Sequence, residues 1–182
     1  MKIDAFHSLD IIILCGLYGS GKTSFSRQYF KNHDRYRLSR SELRKLLFEM
    51  TNFGEPWQAE NFNEEDDVLV KHVERKILEH FLHNKRKVLL INTFMTTKSR
   101  SRFIKYAKDT HRSIGAIFLN TDVEQCLEHN GKKDINVPSH IISKLNLRKE
   151  LPSKVEGFNE VMIIKNYHRE EEKNNYEIPA DE

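Results

Sequence analysis

The chain's 182 residues are 38% hydrophobic and 31% charged, with 7 Gly, 4 Pro and 2 Cys. That amounts to one polar globular domain, and it excludes collagen-like, Pro/Gly-disordered, disulfide-rich and membrane-spanning classes. The net charge of +3 is unevenly spread: residues 165–182 carry −3, while residues 84–112 hold nine bases against one acid, Asp109.

Residues 10–15 read as the first strand, and the unbroken Ile11-Ile-Ile-Leu-Cys15 suits a strand buried on both faces. This apolar run is too short for a secretory signal and follows Lys2, Asp4 and Asp10, so a cytoplasmic (intracellular) location with reduced thiols is expected. Helical period then covers residues 22–30, a short strand 36–38, and a helix 41–50. Residues 51–63, with Gly54, Pro56 and Trp57, lack period and read as a loop. A helix at 68–83, a strand at 88–91, a basic helix at 98–111 and a strand at 114–119 come next. Helices at 123–129 and 138–149 and a strand at 161–164 complete the pattern. Ser39-Arg-Ser-Glu42 and Thr121-Asp-Val-Glu124 match the capping box, and Pro138 suits a first helical turn. Alternating strands and helices predict an α/β fold with a parallel sheet covered on both faces. From Asn166 onward the chain is charged and is expected to pack loosely at the surface.

Gly16-Leu-Tyr-Gly-Ser-Gly-Lys-Thr23 matches G-x-x-x-x-G-K-[ST] in full, directly after the buried strand and directly before a helix. Glycines let backbone N–H groups close around phosphate oxygens, and the helix N-terminus adds about half a positive charge. Gly16, Gly19, Ser20, Gly21, Lys22, Thr23 and Ser24 are therefore the expected nucleotide site. Lys22 reaches the outer phosphates and the Thr23 hydroxyl ligates Mg²⁺. The histidines and cysteines show neither C-x-x-C nor H-E-x-x-H, so no zinc site is expected, and Cys15 and Cys126 read as inert core thiols.

Further segments follow in a particular order: Tyr36-Arg-Leu-Ser-Arg-Ser-Glu-Leu-Arg44, Val88-Leu-Leu-Ile-Asn-Thr-Phe94, Cys126-Leu-Glu-His-Asn-Gly-Lys-Lys133, Val137-Pro138 and Glu156-Gly-Phe158. With the phosphate loop, this layout resembles the polynucleotide 5′-hydroxyl kinase family of P-loop phosphotransferases, found among phage and bacterial nucleic-acid repair enzymes. The resemblance implies a three-layer sandwich over residues 1–165, with a five-stranded parallel sheet in the order 2-3-1-4-5, a small lid, and a charged tail at 166–182. It also implies transfer of the γ-phosphate of ATP, or another NTP, to the 5′-hydroxyl of DNA or RNA with Mg²⁺.

Position by position, the chain departs from that family. The family's second strand is followed by Asp-x-x-Arg, the Asp acting as general base and the Arg gripping the acceptor's 3′-phosphate. Here the stretch is Ser41-Glu-Leu-Arg44: Arg44 matches, Ser41 stands at the base position, and Glu42 is either a displaced base or a capping partner. General-base help is typically worth about 10²–10⁴-fold. Asn92 stands where a Mg²⁺-holding Asp is expected, and Thr93 keeps its hydroxyl beside the acceptor. In the lid, Lys132 and Lys133, beside His129, replace arginines that stabilise the transferring phosphoryl group. Arg100 and Arg102 of the basic helix, with Lys98 and Lys105, would meet acceptor phosphates, and Tyr18 and Phe94 either stack on a base or pack. Two other readings stand beside this one: a P-loop kinase for a nucleoside, sugar or modified base in DNA, and a nucleotide-binding module with degraded catalysis.

Overall fold

Five consecutive apolar residues and a glycine make β1 (Ile11–Gly16), and all six are buried because the strand has a neighbour on each side and helices on each face. The computed structural model describes residues 3–133 and 136–167. Ahead of β1 lies a short helix α1 (Asp4–His7). After it come α2 (Lys22–Phe30), β2 (Arg35–Ser39), α3 (Arg40–Thr51), α4 (Glu64–His83), β3 (Lys87–Ile91), α5 (Thr97–Asp109), β4 (Ile114–Asn120), α6 (Val123–Gly131), α7 (Ser139–Leu147) and β5 (Glu160–Lys165). Single 3-10 turns sit at Ala59–Asn61 and Lys154–Glu156.

Among the described residues the strands form one parallel sheet in the order β2-β3-β1-β4-β5, as expected. Ile11 of β1 stands between Val88 of β3 and Ile114 of β4. The two-residue period sends Ile11, Ile13 and Cys15 to one face, against Leu78 and Leu82 of α4, Phe103 of α5 and Ile142 of α7. Ile12 and Leu14 face the other way, against Phe6 of α1 and Phe25 and Phe30 of α2. No helix among the described residues is long and apolar enough to cross a membrane.

Several local expectations are corrected. Neither capping box forms. Ser39 precedes α3 without capping it; its Oγ lies 3.1 Å from Ser41 Oγ, while the Glu42 carboxylate takes both arms of Arg37 at 2.7 Å. A forked charged pair outcompetes a neutral amide for that carboxylate. Helix α6 starts behind Asp122, and Thr121 Oγ1 donates instead to the carbonyl of Ser20, 3.1 Å away. Pro138 precedes α7 rather than forming its first turn. Helix α4 begins at Glu64, earlier than its apolar period, because Asn63 Oδ1 accepts from Asp66 N at 2.8 Å and four acids meet the positive helix end.

The start of the expected tail is packed. Asn166 Oδ1 accepts from the Asp122 amide at 3.1 Å, and Tyr167 is 9% exposed with its ring edge-on to Phe25. Residues 168–182 of that tail lie outside the described residues. Between α6 and α7, at the expected lid, the Asn130 carboxamide donates to Val137 O at 2.8 Å and accepts from Val137 N at 3.1 Å.

Candidate active site

A cavity of about 300 Å³ lies at the carboxyl ends of β1, β2 and β3, where open parallel sheets bind ligands. Its floor is the phosphate loop with Tyr18, Gly19, Gly21, Lys22, Thr23 and Ser24. Ser39 lines it from the end of β2, Ser41 from the first turn of α3, and Asn92 and Thr93 from just past β3. His129 and Lys133 enter from the α6 side, and Tyr167 from beyond β5.

The loop is braced from three elements. The Gly16 amide donates to Thr93 O at 3.0 Å, Ser20 O accepts from Thr121, and His129 Nδ1 lies 3.0 Å from Gly19 O. Gly19 holds φ +82°, and a Cβ there would come 2.1 Å from the carbonyl oxygen of Cys126, so α6 lies against bare backbone. Gly21 precedes α2 at φ +93°, and a Cβ would meet the Tyr167 ring at 2.7 Å. Thr23 and Ser24 stand in the first turn of α2, where helix N–H groups lack intrahelical acceptors. A loop with no room for a Cβ at Gly19 or Gly21, leading into the first turn of a helix, fits a polyphosphate.

Lys22 Nζ donates to Gly16 O at 2.9 Å and Leu17 O at 2.6 Å. Burial, and secondarily the charge of Lys133, push its pKa down to about 7. Lys133 is itself lowered, first by burial and further by Lys45. Two lysines whose charged forms are both disfavoured leave this end of the cavity able to receive negative charge. Burial pushes the thiols of Cys15 and Cys126 up to about 12 and about 11, in keeping with inert core residues.

Opposite the loop stand hydroxyl and amide groups. The Oδ1 of Asn92 accepts from the Thr93 amide at 2.8 Å, and Ser39 and Ser41 are paired. Among the described residues no Asp or Glu lines the cavity, and none of the His, Cys, Asp and Glu groups is arranged to hold a metal ion. Thr23 and Asn92, the residues expected beside Mg²⁺, bring only a hydroxyl and a neutral amide to the cavity.

Other expected site residues lie elsewhere. Glu42 is exposed and held by Arg37, and it does not line the cavity. Arg44 lines a separate cavity, 2.5 Å from Asp67. Arg100 is fully buried: its fork grips Glu156 at 2.7 and 2.8 Å and reaches the carbonyls of Phe94 and Glu150, each at 2.9 Å. It is a tie between α5 and the chain ahead of β5, not a ligand for acceptor phosphate. Arg102 pairs with buried Glu74 at 2.9 Å, which Arg40 also grips, and its guanidinium covers Phe103. Lys132 pairs with Glu128 at 2.6 Å outside the cavity. Phe94 is core, edge-on to Phe103. Ser39 and Tyr167 were not anticipated as cavity residues: Ser39 resembled a cap, and Tyr167 lay in a charged stretch without periodicity.

The family model described as AAA domain matches residues 11–152. No curated protein matches the chain by sequence. Among solved structures, the Pnkp1/Rnl/Hen1 RNA repair complex aligns at TM-score 0.61 and 18% identity, over 76% of this chain and 43% of that one. This chain thus spans less than half the length of that protein. A sugar kinase from Janibacter sp. HTCC2649 aligns at TM-score 0.63 and 10% identity, over 87% and 86% of the two chains. Shikimate kinase from Acinetobacter baumannii aligns at TM-score 0.51 and 18% identity, over 91% and 89%. At such identities the likeness is one of fold.

Proposed function

The chain belongs to the AAA domain family and has a P-loop kinase fold, and from that premise we propose a nucleotide-dependent phosphotransferase. It moves the γ-phosphate of ATP, or another nucleoside triphosphate, to the 5′-hydroxyl end of DNA or RNA. One observation carries this reading: the glycine cradle and the hydroxyl-bearing ends of β2 and β3 line the same cavity.

In the proposed reaction, loop amides and Lys22 hold the donor phosphates, Lys22 exchanging the carbonyls of Gly16 and Leu17 for phosphate oxygens. Mg²⁺, when bound beside Thr23, neutralises phosphate charge. Ser39, Ser41 and Thr93 orient the acceptor oxygen, which bonds to the γ-phosphorus as the bond to the bridging oxygen breaks. The nucleoside diphosphate leaves, and the acceptor's proton passes to water. Positioning and charge dominate such transfers, so a site without a base carboxylate still follows the same logic at a lower rate. Lys133 neutralises charge at the mouth. Exposed Lys98 and Lys105 on α5, and the likeness to an RNA repair assembly, support a polymeric acceptor.

The missing carboxylate also favours a second reading, a nucleotide-binding module without turnover. Incubation with γ-labelled ATP, Mg²⁺, 5′-hydroxyl oligonucleotides, nucleosides and sugars separates them. Label on oligonucleotide ends is expected. Label on small molecules alone overturns the polymer acceptor, and binding without transfer selects the second reading.

A further inference from the structure

The loop after α3 builds a second cavity, of about 150 Å³, whose walls include Arg44, Phe48, Trp57, Asn61, Phe62 and Asp67. Arg44 links it to the first. Ser41 lines the phosphate cavity and Arg44 the second, and residues three apart on a helix are face neighbours roughly 5–6 Å apart. The two cavities therefore lie about one turn apart along α3.

The charge of Arg44 is already spent. Its guanidinium lies 2.5 Å from Asp67 and covers the Phe62 ring at 5.3 Å, and Asp66 adds a further negative wall. An anion entering here would meet an arginine already paired with Asp67, and beside it the Asp66 carboxylate. What the cavity does offer is aromatic surface: Phe48, Trp57 and Phe62 line it, and Phe62 already carries the Arg44 guanidinium on one side of its ring.

We infer that this second cavity is the docking site for a nucleobase of the acceptor, set between Trp57 and Phe62. The inference rests on the proposed nucleic-acid acceptor and deepens it. It departs from the expectation that Arg44 grips an acceptor phosphate. Recognition is of a planar, neutral ring, and the one-turn offset leaves the sugar hydroxyl at Ser41.

Trp57 is the single tryptophan of the chain, so its fluorescence reports this cavity without interference from other tryptophans. The intact protein, excited at the red edge of the tryptophan band, is titrated with nucleosides, with ribose and with inorganic phosphate. Saturable quenching by nucleosides alone is expected, retained in Lys22→Ala because the donor loop is not involved. Phe62→Ala should weaken the response about tenfold, the scale of one lost base stack. Quenching by phosphate but not nucleosides, or no response from the folded wild type, overturns the inference. So does a Phe62→Ala variant that folds and titrates like wild type. The two readings fail separately. Quenching without phosphoryl transfer supports this site while sinking the transfer reading. Transfer to oligonucleotides with Trp57 silent rejects the site and keeps the reaction.

Discussion

The ammonium of Lys22 lies 2.6 Å from the carbonyl oxygen of Leu17, so the residue proposed to bind phosphate is held by its own loop. Its pKa of about 7, depressed by burial and then by Lys133, lies far below the ordinary 10.5. Between those values the folded protein holds Lys22 neutral while the unfolded chain holds it charged. Unfolding then takes up a proton, so this group's penalty on stability is full below about pH 7 and fades as pH rises towards 10.5. Nucleotide binding has the opposite sign, because phosphate requires the charged form. Affinity should fall by up to about tenfold per pH unit above 7, with proton uptake on binding. Calorimetric titrations in buffers of different ionisation heat check this; an affinity flat with pH contradicts it.

Gly19→Ala should disable the loop. The new Cβ would meet the Cys126 carbonyl at 2.1 Å, a backbone atom that cannot rotate away, and φ +82° is unfavourable for alanine by about 1–2 kcal/mol. Loss of nucleotide binding together with at least about 2 kcal/mol of stability is expected from denaturant midpoints and binding isotherms.

Arg100→Ala should act on folding. It leaves Glu156 buried without its partner and frees two carbonyls, a loss of about 3–5 kcal/mol. The acceptor KM of the folded fraction should not move. A raised acceptor KM at unchanged stability would restore the phosphate-binding role.

Ser41→Asp tests the missing base. If general-base assistance is what the site lacks, the variant gains rate, within the range of about 10²–10⁴-fold that such groups supply. Initial rates with labelled ATP measure it, and the gain should appear in kcat more than in KM.

Tyr167→Phe and Tyr167→Ala separate hydroxyl from ring. The hydroxyl donates to Gln28 Oε1 at 2.6 Å, one hydrogen bond of about 1 kcal/mol, so the Phe variant should keep donor binding. The Ala variant removes the ring beside Gly21 and Phe25, costing about 3 kcal/mol and raising the donor KM.

What could be read along the chain was whatever contiguous residues produce. An unbroken Ile-Ile-Ile-Leu-Cys run suits a strand covered on both faces, and a phosphate loop is built from consecutive amides. Strand–helix alternation then leaves few ways to order a parallel sheet. Side-chain partnership is a different matter. Arg100, Arg44 and Glu42 look alike on paper as free charges, yet each is claimed by a partner: Glu156, Asp67 and Arg37. Two of those partners lie more than twenty residues away in the chain, and folding alone brings them within reach. Such pairing decides which charges remain for a ligand, and it left Lys22 and Lys133 beside a cavity that no carboxylate of the described residues lines.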